Sequence, residues 1–421
     1  VGCQMNKADS EKLAAGFDRL GMRAVDRMER ADIVVLNTCS VRQHAEDRAY
    51  SKLGRVRDLK KERPDLKVAV MGCMVGLKTA DLEKRFPQVD VFARPQQFEP
   101  IMELVEGPAE DLGGEFWPTT YAIPEGPCAF VPVVHGCNKF CTYCIVPYRR
   151  GREKSRPVKE IVREVAYLTA QGVREVTLLG QTVEAYGHDL PGQPDLGDLM
   201  RELSALERLE RIRFLTSYPK DMTHRILEAV AGLPKVMECF SLPIQAGSDA
   251  VLESMRRGYT KDEYRDKIRE LRELMPDAGI TTDIIVGYPG ETEADFQGTL
   301  DILEELRFDK VHVAAYSPRP GTIAWRKMPD DVPADVKSER LHRVEAVEAR
   351  ISQEINDRYV GTTQQVLIEG VRNGQPFGRT RTGKLVHLDA PARTGALVDV
   401  RIEHAGPFSL RGSVQDALLL V

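Results

Sequence analysis

The sequence predicts an α/β protein in three parts: an N-terminal doubly wound parallel-sheet domain, a central open (βα)6 partial TIM-type barrel, and a small all-β barrel after it. Three observations carry this. Short apolar runs alternate with helical patterns up to about residue 112 and again from about 128 to 357. A stretch rich in Gly and Pro separates the two, and beyond 357 only short strand-like runs remain, set between Gly and Pro turns. Alternating strands and helices build parallel sheets because each crossover helix must cover a sheet face. The expected division is therefore 1–112, a linker at 113–127, 128–357 and 358–421.

Taken in order, Val1-Gly2-Cys3 reads as the end of a strand already under way, with a few residues expected ahead of it. Asp9-Ser10 is placed to cap a helix carrying Leu13, Phe17 and Leu20, which Gly21 closes. Residues 33–36 and 68–71 are buried-strand runs, separated by a basic helix that ends before Pro64. In the central part, strand-like runs fall near 130–134, 174–179, 211–216, 236–243, 280–286 and 310–316, with helical patterns such as 158–170 and 291–306 between them. Six βα repeats, two short of a full set, predict an open barrel with its functional side chains at the carboxyl ends of the strands. A charged helix from about 333 to 357 leads into strands at 365–369, 384–388, 397–403 and 417–421.

Composition narrows the function. Apolar residues make up 42%, charged residues 29%, and the net charge is −5, so the chain is not a uniformly basic nucleic-acid coat. No apolar run reaches the roughly 18 residues of a membrane span, and no leader is visible, so a cytoplasmic, reducing compartment is expected. Eight cysteines are too few for a disulfide scaffold of this length. Cys128 and Cys239, set among apolar residues, read as small buried hydrophobes. The other six form two sets of three.

Cys137, Cys141 and Cys144 make C-x3-C-x2-C in the loop after the first barrel strand. Three thiolates this close can hold three irons of a 4Fe–4S cube and leave the fourth iron open to a small molecule. Zinc prefers four ligands in paired C-x2-C groups, so it would need a distant fourth such as His135. This motif, on this strand, resembles the radical S-adenosylmethionine (SAM) superfamily. The resemblance implies that Cys137, Cys141 and Cys144 hold the cluster and that SAM chelates the open iron. It also implies that SAM is cleaved to methionine and a 5′-deoxyadenosyl radical, with Tyr143 near the adenine.

Cys3, Cys39 and Cys73 are separated by 36 and 34 residues, about one βα repeat each. Each lies at or just past a strand's carboxyl end, where neighbouring strands of a doubly wound sheet converge. Three buried structural cysteines would fit the same spacing. Gly2-Cys3-Gln4-Met5-Asn6, Asn37-Thr38-Cys39-Ser40-Val41-Arg42 and Met71-Gly72-Cys73-Met74 resemble the N-terminal domain of radical SAM methylthiotransferases. Residues 136–156, 178–187, 211–219, 242–248 and 282–293 extend that resemblance through the barrel. Gly378-Arg379-Thr380 and Leu410-Arg411-Gly412 resemble a TRAM domain, a small RNA-binding β-barrel. Thr182-Val183-Glu184 departs from the family's commoner Asn-Val-Asn, and Ser241 stands where a His is usual.

The family resemblance implies a second 4Fe–4S cluster on Cys3, Cys39 and Cys73, whose open iron carries an added sulfur. It implies two SAM molecules per turnover, one methylating that sulfur and one yielding the radical. The substrate so implied is tRNA with an isopentenylated adenosine at position 37, modified at carbon 2. A low-potential electron donor such as a flavodoxin or ferredoxin and a monomeric enzyme complete the expectation. The same chemistry on threonylcarbamoyl-adenosine or a ribosomal-protein aspartate is the alternative, and a non-catalytic zinc-containing RNA-binding protein is the rival of another class. No Ser/His/Asp constellation or carboxylate pair points to hydrolysis.

Candidate SAM contacts at the strand ends are Gln181, Gln245 and Ser248, with Gly287 and Gly290 admitting backbone close to the adenine. Each polar residue could instead serve a local turn or cap, Ser248 in particular. Residues 148–156 hold Arg149, Arg150, Arg152, Lys154 and Arg156 against Glu153, a net +4 beside the cysteine loop. The arginines are candidate contacts to an RNA backbone.

Overall fold

The computed structural model describes residues 2–40, 43–76, 78–105 and 121–415. Strands Ile33–Thr38, Lys67–Gly72 and Val91–Ala93 pair in parallel, in that order. Helices cover both faces. Gln4–Arg19 and Glu99–Met102 pack Leu13 and Ile101 against Ala69, Met71 and Ala93. Gln43–Glu62 packs Leu53 and Val56 against Val34, Leu36, Val68 and Val70. Burial on both sides is why the middle strand is a continuous apolar run rather than an alternating one.

The first helix corrects one expectation. It starts at Gln4, directly after Cys3 at its N-cap position, and Asp9 lies in its interior instead of capping it. The Asp9 carboxylate is buried against Arg150 at 3.2 Å, so a tertiary ion pair overrides the residue's preference for a cap. Gly21, at φ 79°, does close this helix, its N–H donating to the carbonyl of Asp18.

Six parallel strands follow: Cys128–Pro132, Glu175–Leu179, Arg211–Leu215, Cys239–Ser241, Gly279–Val286 and Lys310–Ala315. They form two three-stranded ladders in chain order, joined by a single bridge between Ile212 and Val236. Four of the outer helices begin at side-chain caps: Asp195, Thr260 and Thr292 each make a reciprocal capping box, and Thr223 accepts from the N–H of Ile226. Among the described residues no helix is long and apolar enough to cross a membrane.

After the helix Ala334–Asp357, strands Thr363–Arg372, Gln375–Thr380, Leu385–Leu388, Leu397–Ala405 and Leu410–Val414 close into a small barrel. The strands at 375–380 and 410–414 are not marked by the sequence pattern, because glycine interrupts each. A Cβ at Gly378 would lie 2.0 Å from the carbonyl oxygen of Leu367, and one at Gly412 would lie 2.1 Å from that of Arg401. The expected strand at 417–421 lies outside the described residues. The small barrel docks on the amino ends of the large one. Arg211 donates to the carbonyls of Arg379 and Gln365, Arg381 donates to those of Pro234 and Val236, and Lys384 pairs with Asp309 at 2.6 Å. Cys239 is buried beside this seam and Cys128 is partly buried.

The helix Gln4–Arg19 also joins the first domain to the barrel. Met5 and Ala8 pack against Leu179, Phe130 and Leu215. Lys12 reaches Glu164 at 3.6 Å, and Glu164 also holds Arg156 at 2.5 Å, all three side chains buried. Burial pushes the Glu164 carboxyl up, but the Arg156 and Lys12 cations outweigh it and hold the group below its ordinary value. A carboxylate depressed in the folded state contributes stability above the unfolded value of about 4.3 and loses it as pH falls through the folded one. Glu164→Gln is therefore expected to lower the thermal midpoint at pH 7, with the difference from wild type closing below about pH 4. A gap that persists undiminished at pH 3 would contradict this.

Candidate functional site

The first thiol set forms where two strand ends meet. Cys39 and Cys73 each follow the last residue of a strand, and the N–H of Cys73 donates to the carbonyl of Thr38 at 2.9 Å. Gly72 makes that approach possible: at φ 100°, a Cβ there would sit 2.3 Å from the Thr38 oxygen. Cys3 is drawn in from the other side by an asparagine clasp. Asn6 Nδ2 donates to Asn37 Oδ1 at 2.7 Å and to the Thr38 carbonyl at 2.8 Å, and Asn37 Nδ2 returns a bond to the Asn6 carbonyl at 2.7 Å. Cys3 Sγ lies 3.2 Å from Asn6 Oδ1. Burial pushes the Cys73 thiol up, Arg150 opposes it, and the Cys39 and Cys3 thiols add to it, so the three sulfurs act on one another.

The second set lies at the carboxyl end of the first barrel strand. Gly136 (φ 75°) and Phe140 (φ 49°) turn the chain tightly around Cys137. The loop is pinned to the far side of the barrel: Thr142 N–H donates to the Met255 carbonyl at 3.1 Å, Thr142 Oγ1 lies 2.6 Å from Tyr288 Oη, and Ala324 N–H donates to the Thr142 carbonyl at 2.8 Å. Cys137 Sγ lies 3.5 Å from Thr182 Oγ1 and accepts from Lys139 N–H at 3.5 Å. Arg257 donates to Cys141 Sγ at 3.3 Å. Burial, followed by the neighbouring Cys141 sulfur, pushes the Cys144 thiol up to about 12.

Among the described residues no three His, Cys, Asp or Glu side chains gather tightly enough to hold a single metal ion. Each thiol triplet has instead the donor chemistry of an iron–sulfur cube, whose corners hold thiolates farther apart than one ion does. His135, the conceivable fourth zinc ligand, is buried in the short strand Val134–His135, and burial with the nearby Arg150 cation pushes it down to about 3.

The helix Val146–Arg150 spans the gap between the two sets. It begins two residues after Cys144 and ends at Arg150, whose guanidinium meets Asp9 and acts electrostatically on the Cys73 sulfur. The structure here revises the basic run. Arg150 and Arg156 are buried in ion pairs, so they hold the fold together and do not face an incoming RNA. Arg149 is half-buried against Gly76, while Arg152 is exposed. Arg152 lies over the Phe140 ring at 4.7 Å, Phe140 meets Tyr148 edge-on at 5.7 Å, and Arg326 lies over Tyr148 at 5.8 Å. Trp325 and Lys327, on either side of Arg326 in the chain, are exposed. The sequence reading missed the 325–327 segment because it is distant in the chain from the cysteines.

The candidate SAM contacts all lie at strand ends. Gln181 follows the second strand, half-buried. Gln245, at φ 80°, is locked by its own N–H to Asp283 and its carbonyl to Ile285. Ser248 occupies an N-cap position without capping, its Oγ turned to Asp295. Gly287 and Gly290 form a turn whose N–H groups are held by Glu291 and Asp331. Tyr143 meets Tyr288 edge-on at 6.5 Å and accepts from Arg257.

Glu184 is a further strand-end group. It is 1% exposed, accepts from the N–H of Tyr218 at 3.1 Å, and its second oxygen has no hydrogen-bond partner. Burial pushes it up to about 7, opposed by polar neighbours that include Ser217 and the Tyr218 N–H. A carboxyl raised in the folded state costs stability progressively between its unfolded value, near 4.3, and the folded one. Glu184→Gln is expected to gain stability over wild type from about pH 4 to 7, reaching roughly 4 kcal/mol, and to gain no more above that. Unfolding midpoints measured across that range check it, and a pH-independent difference would count against a buried, titrating Glu184.

Known proteins share this architecture. Residues 131–303 match the radical SAM superfamily, residues 1–93 an uncharacterized protein family, UPF0004, and residues 357–415 the TRAM domain. A tRNA-2-methylthio-N(6)-dimethylallyladenosine synthase of a Roseiflexus species is 46% identical over 417 residues, covering 98% of this chain and 88% of that protein. Proteins of the same name from Dehalococcoides mccartyi and Dictyoglomus thermophilum are each 44% identical, covering 98% of this chain and 97% of theirs. Among solved structures, the radical SAM methyltransferase TsrM of Kitasatospora setae, determined with cobalamin and a 4Fe–4S cluster, has the same fold. Its TM-score is 0.54 at 14% identity, over 85% of this chain and 72% of that one.

Proposed function

The chain belongs to the tRNA-2-methylthio-N(6)-dimethylallyladenosine synthase family, and on that premise we propose that it transfers a methylthio group to carbon 2 of an N6-isopentenylated adenosine at position 37 of tRNA. It is a radical SAM enzyme that transfers sulfur-containing groups. The observation that carries the finer reading is the pairing of two three-thiol sites bridged by one helix of five residues. When bound, a 4Fe–4S cluster at Cys137, Cys141 and Cys144 supplies the electron for SAM cleavage, and a second at Cys3, Cys39 and Cys73 holds the sulfur to be transferred, at a cost of two SAM per turnover.

The chain's own residues supply position and exclusion. Thr142, Tyr288 and Ala324 hold the cysteine loop against the opposite wall of the barrel, so its open side faces the strand ends. Gln181, Gln245 and Ser248, with the turn at Gly287 and Gly290, line those ends as the SAM-binding set. The asparagine clasp and Arg150 keep the second thiol set over the same opening. The rim row of Arg152, Phe140, Tyr148 and Arg326 suits unstacked loop nucleotides, since rings stack bases and guanidinium groups neutralise phosphates. A cytoplasmic site of action, a flavodoxin or ferredoxin as electron donor and a monomeric state belong to the same proposal.

Anaerobic reconstitution followed by iron and sulfide analysis and a tRNA nucleoside assay tests this reading. About eight irons per chain and a methylthio product on isopentenylated tRNA are expected, as two 4Fe–4S sites require. Product only on threonylcarbamoyl-adenosine or a protein side chain would reassign the substrate. Cys73→Ala is expected to keep SAM cleavage while losing methylthiolation, and full product from that variant would remove the second cluster from the scheme. Arg152→Ala with Arg326→Ala is expected to flatten the salt dependence of tRNA binding by a log–log slope of roughly 1 to 2, as loss of two phosphate contacts demands. An unchanged slope would return the rim to ordinary solvated surface.

A further inference from the structure

Arg257 is 4% exposed, yet among the described residues no carboxylate is paired with it. Each of its three nitrogens donates a hydrogen bond. Nε donates to Tyr259 Oη at 2.9 Å and Nη2 to the Pro243 carbonyl at 3.0 Å. Nη1 donates to both Cys141 Sγ and Tyr143 Oη at 3.3 Å. The rings of Tyr218 and Tyr259 flank the guanidinium at 4.7 and 5.3 Å. Left-handed backbone on both sides, Arg256 at φ 57° and Gly258 at φ 67°, turns the residue back toward the cysteine loop. A buried cation without an anion is costly, and aromatic faces compensate it only in part. The one group in contact that becomes a full anion on binding iron is the Cys141 thiol.

From this geometry we infer that Arg257 is a positioning residue for the barrel cluster: it is the built-in counter-cation of the Cys141 thiolate and, through that hydrogen bond, raises the cluster's reduction potential. Reduction adds one electron from an external low-potential donor and one negative charge to the site. A fixed positive charge and an N–H donor at a ligand sulfur favour the more negative, reduced form. The surroundings are arranged to keep the group in place: Tyr218 Oη donates to the Arg257 carbonyl, and the Met255 carbonyl two residues earlier accepts from Thr142 in the cysteine loop. The inference rests on the reading that Cys137, Cys141 and Cys144 hold a 4Fe–4S cluster.

The test uses the full chain carrying Cys3→Ala, Cys39→Ala and Cys73→Ala, so that one cluster is present, and compares Arg257→Met and Arg257→Lys with that parent. Iron and sulfide are counted first, and then the midpoint is read by dithionite titration followed by electron paramagnetic resonance, without SAM. Arg257→Met is expected to move the midpoint negative by about 59 mV, a tenfold change in the one-electron equilibrium. Arg257→Lys, which keeps the charge but not the planar fork, is expected to fall between the two. A midpoint unchanged in both variants, with iron intact, would overturn the inference. Weaker SAM binding at an unchanged midpoint would also overturn it, and would make Arg257 a SAM contact instead. Should Arg257→Met fail to hold iron, the lysine variant decides alone by the same midpoint. A parent that binds no iron would instead defeat the cluster reading itself.

Discussion

The ion pair between Asp9 and Arg150 is the contact on which the arrangement of both thiol sets depends. Asp9 sits on the helix that starts at Cys3, and Arg150 ends the helix that starts just after Cys144. With both side chains about 1% exposed, neither charge can be solvated if the other leaves, and removing one partner of such a pair is strongly destabilising. The distance between the two sites is therefore set by these two helices and one buried charge pair. Lys12, Glu164 and Arg156 repeat the device one turn along the same helix.

The two ends of the large barrel do different work. The barrel's candidate groups for chemistry lie past the carboxyl ends of its strands, while the small barrel is seated at the amino ends through Arg211, Arg381 and Lys384. The glycines at this seam have a packing reason: a Cβ on Gly279 would lie 2.1 Å from the Thr382 oxygen, and one on Gly383 would lie 2.6 Å from Cys239 Sγ. Parallel strands direct side chains and loops of successive repeats to one end, which leaves the other free for a rigid, load-sharing contact. The cation–ring row at the rim belongs to the chemical end.

Each thiol set is accompanied by a buried guanidinium, Arg150 at one and Arg257 at the other, but they differ in what balances them. Arg150 has Asp9 as well as the Cys73 sulfur; among the described residues Arg257 has aromatic hydroxyls, a carbonyl and the Cys141 sulfur. Burial, followed by the neighbouring thiols, pushes Cys73 and Cys144 up, and metal binding requires the thiolates, so the two events are coupled. A fixed cation beside each set lowers the cost of that step in a site from which water is excluded.

The alternation of apolar runs and helical patterns was enough to read the parallel sheets, the open barrel and the strand ends at which Cys39, Cys73 and the C-x3-C-x2-C loop fall, because side-chain periodicity is a local property of the chain. Cysteine spacing likewise carried the chemistry, since one motif holds three ligands within eight residues. Tertiary structure alone decided the rest. Nothing local distinguishes Arg150 and Arg156, which are buried in ion pairs, from Arg152, which faces solvent, for their partners lie 141 residues away in Asp9 and on a neighbouring helix in Glu164. The same holds for Asp9, a sound cap by type but an interior counter-ion in place, and for Arg257, 116 residues from the sulfur it touches. Charge is visible in a sequence; whether it meets water or another charge is settled only when distant segments pack, because the burial that makes an ion pair necessary is itself a product of the fold.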